Sequence, residues 1–157
     1  MKKCIAIVLL LGMIFSLTSC DFAKFLMADK KAYTEDEFTD ILEEEDFTIT
    51  DDELGDEAAE IMDACIGAEK DDLCVIFFIY KDKDLAESVF DDTKEDLEEM
   101  EGVKTKGSIS LQNYTQFRAE TEDQIHIVIR VGETLLLIDA PTEDSKEVGA
   151  FIKGLGY

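Results

Sequence analysis

Tryptophan is absent from these 157 residues, proline and histidine occur once each, and cysteine four times. A single histidine, His126, withholds the side chain around which most catalytic dyads and zinc sites are built. No glycine-rich loop of the nucleotide-binding kind occurs. Basic residues are scarce as well: 15 Lys and Arg stand against 38 Asp and Glu, a net charge of −23. Such a surface repels phosphate, which argues against nucleic acid as a partner. Long apolar stretches are missing except near the start, where residues 5–15 are broken only by Gly12. As a helix that stretch reaches roughly 17 Å, short of the roughly 30 Å hydrocarbon core, so a plain transmembrane anchor is disfavoured.

What stands at the N-terminus is an address. Lys2 and Lys3 precede the apolar stretch and Ser16 ends it, the charged, apolar, small-residue order of a secretory signal peptide. Leu17-Thr18-Ser19-Cys20 follows and resembles the bacterial lipobox. That resemblance implies cleavage between Ser19 and Cys20, diacylglycerol on the Cys20 thiol, and a mature chain held at the extracytoplasmic face of the membrane. A diacyl group supplies two chains at once, which is what stable anchoring requires. An ordinary cleaved secretory peptide and an uncleaved short anchor are the alternatives. The expected organisation is a signal peptide over 1–19, a lipidated cysteine and tether over 20–33, and one domain over 34–157. In the tether, Phe22, Phe25 and Leu26 sit beside Lys24, Lys30 and Lys31. They suit an amphipathic turn at the bilayer or packing against the domain.

The charge is unevenly spread. Residues 35–101 hold 28 acidic against 4 basic residues, and residues 102–157 hold 8 against 6. Apolar content is 46% and periodic, so the chain should fold. The acids then serve chiefly as a solvated surface, and they suit a basic protein or peptide of the envelope as partner.

Thr34 and Glu37 form a capping box, and Tyr33 can staple onto Phe38, which predicts a helix carrying Phe38, Ile41 and Leu42 on one face. Phe47 to Thr50 reads as a short strand. Ala58, Ile61, Met62 and Cys65 fall at helical spacing before Gly67, which predicts a second helix over 51–66. The acidic cluster around Gly55 lacks the ligands of a calcium loop, because positions 1, 5 and 12 of that loop would be Thr50, Leu54 and Ile61. Cys74 to Tyr80 is an unbroken apolar run, suited to a central strand covered on both faces. A long helix opens near Asp84 and Glu87 and buries Leu85, Ala86, Val89, Phe90, Leu97 and Met100. After Gly107 the period becomes two, with a bulge or twist expected near Asn113-Tyr114. Ile125, Ile127, Ile129 and Val131 then lead into a tight hairpin at Gly132-Glu133, and the chain returns through Thr134 to Ile138. Thr142 can cap a last helix with Val148, Phe151, Ile152 and Leu155 on one side. The expected fold is α+β: a mostly antiparallel sheet of about four to five strands, a C-terminal three-strand meander, and helices on one face.

Several of these stretches together resemble the small lipoproteins of low-GC Gram-positive bacteria. They are the lipobox, Phe38 through Phe47-Thr48-Ile49-Thr50, and the apolar strand followed by Ala86 and Phe90. Arg130-Val131-Gly132-Glu133-Thr134-Leu135-Leu136 and the closing Gly154-Leu155-Gly156-Tyr157 complete the set. That group has no assigned activity, so the resemblance adds no catalytic residue.

Few residues remain that could carry chemistry. Cys65 and Cys74 outlast removal of Cys4 and lipidation of Cys20. They either pair as a disulfide, closing a short loop, or sit as two small buried hydrophobes. Arg118 and Arg130 lie on strands and can each grip a ligand carboxylate bidentately or pair with a neighbouring acid. No catalytic residue, metal site or cofactor is assigned. The function expected is that of a non-enzymatic binding module at the cell surface. A solute-binding lipoprotein and a carboxylate-using envelope hydrolase are the alternatives.

Overall fold

A computed structural model describes residues 29–51 and 54–157. The signal peptide, Ser19, Cys20 and the tether residues up to 28 lie outside the described residues.

Helix α1 (Glu35–Glu44) starts as its residues predict. The Thr34 hydroxyl accepts from the Glu37 amide, and the Glu37 carboxylate accepts from the Thr34 amide. The Tyr33 and Phe38 rings meet at 6.4 Å, which fixes the entry angle of the chain. Strand β1 (Thr48–Asp51) follows, then a short α2 (Asp56–Ile61). Here the chain departs from the predicted second helix, because residues 62–70 form strand β2 (Met62–Lys70). Ala64, Ile66 and Ala68 are buried at period two. Alanines favour a helix locally, but pairing along the whole of β3 (Leu73–Tyr80) overrides that preference.

Helix α3 (Lys83–Glu99) is capped by Asp82, whose carboxylate accepts from the Asp84 amide at 2.8 Å, two residues earlier than the predicted opening. Four strands follow: β4 (Thr105–Leu111), β5 (Tyr114–Glu120), β6 (Gln124–Val131) and β7 (Thr134–Pro141). A two-residue turn separates β4 from β5 where a bulge was expected, with Leu111 opposite Tyr114. The β6–β7 hairpin is the one predicted, and Gly132 takes the left-handed φ of 61° that its turn requires. Thr142–Asp144 make one 3-10 turn before α4 (Ser145–Gly154), and the buried Thr142 hydroxyl finds no partner there.

The result is α+β, with a seven-stranded antiparallel sheet in the order β1-β2-β3-β7-β6-β5-β4. The C-terminal meander has four strands rather than three, and its last strand docks on β3. Helices cover both faces, not one. Alternate residues of β6 divide between two cores: Ile125, Ile127, Ile129 and Val131 pack with α1 and α4, while Val128 packs with α3. A continuous apolar strand such as β3 needs both covers, since Val75 and Phe77 face one core and Phe78 and Tyr80 the other.

The end of the tether is part of the fold. The Lys30 amide donates to the Asn113 side chain at 2.9 Å, and that side chain donates back to the Lys30 carbonyl at 2.7 Å. The Lys30 ammonium donates to the Gly156 carbonyl, the Tyr33 hydroxyl to the Leu155 carbonyl, and the Tyr157 hydroxyl to the Lys31 carbonyl. Residues 30–33 are therefore held against the C-terminus and the β4–β5 turn. Burial lowers the pKa of the Lys30 ammonium.

Candidate functional site

The face under α3 carries Cys74, His126 and Arg130, three of the polar side chains that the sequence singles out. Strand pairing sets Cys74 beside Asp139 and Asp139 beside His126, with Glu69 on the other flank of Cys74. His126 Nδ1 lies 2.6 Å from Asp139 Oδ1. A cleft of about 310 Å³ opens beside this pair, lined by Thr93, Leu97, Met100 and Leu137. The arrangement has the parts of a hydrolytic triad in the wrong order, because the carboxylate stands between thiol and imidazole. With adjacent strands about 4.8 Å apart, thiol-bearing and imidazole-bearing strands are nearly 10 Å apart. Burial pushes the Cys74 thiol pKa up, and the carboxylates of Asp139 and Glu69 push it further, so the thiolate needed for attack is disfavoured.

No disulfide joins Cys65 to Cys74. Register explains this: Cys65 faces Phe78, Cys74 faces Glu69, and the two positions lie several residues apart along the β2–β3 ladder. That exceeds the Cα separation of about 7 Å beyond which a bridge cannot close.

The two arginines part company. Arg118 is spent on its neighbours: Nε donates to Glu120 at 2.5 Å and Nη2 donates to the Ser145 hydroxyl at 2.9 Å. Arg130 is different. It is buried to 7% exposure beneath α3. Its Nη1 donates to the Gly132 carbonyl at a long 3.3 Å, its Nη2 lies 3.5 Å from a Glu87 carboxylate oxygen, and its Nε has no partner. A buried donor left unmade costs about 1–3 kcal/mol. The guanidinium lines a cleft of about 270 Å³ together with Glu87, Asp91 and Lys94 of α3 and Ser108, Ser110 and Thr115 of the sheet. Ser110 pairs with Thr115 and Thr115 with Arg130, so two short hydroxyl side chains lead in one row from the sheet edge to the guanidinium. The sequence singled out Arg130 but not its companions. Glu87, Asp91 and Lys94 follow helical spacing and so share a face, a signal readable in advance. Their meeting with Ser110 and Thr115 depends on sheet register.

Among the described residues, no group of three or more His, Cys, Asp or Glu side chains is placed to hold a metal ion. Among the same residues, no helix is long and apolar enough to cross a membrane.

No protein-family model matches the chain, and no curated protein is detectably similar to it. Among solved structures, the crystal structure of a GTP binding regulator from Thermotoga maritima is similar, at 17% identity and a TM-score of 0.50, over 81% of this chain and 88% of that one. At that identity the likeness is one of fold alone.

Proposed function

We propose that this chain is a bacterial lipoprotein whose single domain acts as a non-enzymatic binding module at the extracytoplasmic face of the cell membrane. The observation that carries the reading is Leu17-Thr18-Ser19-Cys20 directly after a lysine-led apolar stretch. The kinship with small lipoproteins of low-GC Gram-positive bacteria belongs to the same proposal. The docked segment over 30–33 supports it from the other end. Only residues 20–28 separate the lipidated sulfur from the folded body, a reach of roughly 30 Å at full extension. The domain then works close to the bilayer, with the β4–β5 turn and the C-terminus on the membrane side. The polar clefts under α3 give it a surface to bind with, and its acidic helices suit a basic partner in the envelope.

Intact mass of the chain from native cells tests this. The expected species starts at Cys20 and carries acyl chains, and Cys20→Ser abolishes both processing and membrane retention. An unprocessed or unacylated native N-terminus overturns the reading.

A further inference from the structure

We infer that the cleft between α3 and the β4–β5–β6 sheet binds a free α-amino acid, whose carboxylate meets Arg130 and whose ammonium meets Glu87. The inference rests on the lipoprotein reading and takes the domain in its solute-binding form, naming a ligand class for it.

Depth orders the charges in this cleft. The guanidinium is the buried group, with its side chain 9% exposed, and the Glu87 carboxylate at the rim is 53% exposed. An entering ligand therefore places its anionic group first and leaves its cationic group outermost. Arg130 has donors to offer at its two terminal nitrogens, since their contacts with Gly132 and Glu87 are both long. A guanidinium fork matches a carboxylate bidentately. Glu87 stands 3.5 Å from the guanidinium, so the two charges a ligand satisfies must lie close together. Carboxylate and ammonium on one carbon meet that condition. A simple anion does not, because Glu87 and Asp91 would be left facing it. The hydroxyls of Ser110 and Thr115 line the path and can bond to a polar side chain or to the second carboxylate oxygen. Lys94 is turned aside, 3.8 Å from Glu98 and over the Phe117 ring, and adds positive potential without closing the cleft. At about 270 Å³ the cleft lies just under the size range of drug-sized pockets, which suits a ligand of this kind.

The test is calorimetric titration of the membrane-extracted chain with each standard amino acid in turn, repeated with Arg130→Met, Arg130→Lys and Glu87→Gln. At least one amino acid is expected to saturate. Its N-acetyl derivative, which keeps only the carboxylate, and its amide, which keeps only the ammonium, are each expected to bind about tenfold more weakly or worse. Arg130→Met should abolish binding with circular dichroism unchanged. Arg130→Lys should restore it only in part, since an ammonium lacks the fork, and Glu87→Gln should weaken it about tenfold. Failure of every amino acid to saturate, or binding indifferent to Arg130→Met, overturns the inference. Acylation of Cys20 is read separately by mass, so loss of the ligand assignment and loss of the lipoprotein reading are distinguishable.

Discussion

The two faces of the sheet are built to different rules. Under α1 and α4 the core is apolar and aromatic. Phe38 stacks on Phe77 at 4.1 Å between ring centroids, Phe47 meets Phe151 at 5.3 Å, and Val75, Ile138 and Val148 are fully buried around them. Under α3 only Ala86 and Phe90 of the helix are buried, while Leu85, Val89 and Leu97 stay partly exposed. Charged and polar side chains reach in there: His126 with Asp139, Arg130 with Glu87, and Cys74 between two acids. One face holds the fold together. The other gives up packing for polar groups, which is where a small single domain can place a binding surface without losing its core.

The sharpest way to break this contrast is to truncate one apolar side chain on each side. Phe77→Ala should cost about 3–5 kcal/mol in urea unfolding, whereas Leu97→Ala on the α3 side should cost about 1–2 kcal/mol. Equal losses would mean that both faces carry the fold.

Alkaline pH strikes the aromatic face next. Burial pushes the Tyr114 phenol up to about 12, and burial raises that of Tyr157 too. A raised phenol holds its proton better folded than unfolded. Stability is therefore intact below the ordinary tyrosine pKa of about 10 and falls as pH rises toward 12, by on the order of 2 kcal/mol from Tyr114. Unfolding free energies measured from pH 8 to 11.5 check this, and a flat profile would refute it. Tyr114→Phe should remove part of the slope.

Smaller effects sharpen the comparison. Thr34→Ala removes the α1 capping box and should cost about 1 kcal/mol by thermal melting. Arg130→Met, by contrast, should change stability by no more than about 1 kcal/mol, because a poorly satisfied buried charge is replaced by an apolar chain of similar length. Loss of folding in that variant would make Arg130 a structural member of its face. Smallest of all, the Cys74 thiol should alkylate more slowly at pH 8 than an exposed cysteine, and reduction should leave the mass of the Cys65–Cys74 region unchanged rather than about 2 Da heavier.

Elements whose signals are local were legible in advance. The Thr34–Glu37 box, the Tyr33–Phe38 staple and the Gly132-Glu133 hairpin each depend on residues within a few positions of one another, and each formed. The predicted second helix failed at β2 because Ala58, Ile61, Met62 and Cys65 have helical spacing while Ala64, Ile66 and Ala68 alternate in the same stretch. Only the eight-residue partner β3 decides between the two periods. The one-sided helix layer failed for a related reason. Which face a helix covers is set by its crossing over the sheet, and α3 crosses on the side opposite α1 and α4. At the candidate site, Arg130 was legible as a strand arginine in an acidic chain. Its unpartnered Nε and its hydroxyl-lined approach were not, since Ser110 and Thr115 lie far from Glu87 along the chain.

Charge balance, apolar period and turn chemistry are properties of neighbouring residues, and they sufficed for the α+β class, the helix starts and the scarcity of catalytic side chains. Sheet order, the side each helix takes and the burial of one guanidinium beside the Glu87 carboxylate arise from contacts between distant segments. Those contacts are chosen by the free energy of the whole packed body, which no short window of residues contains.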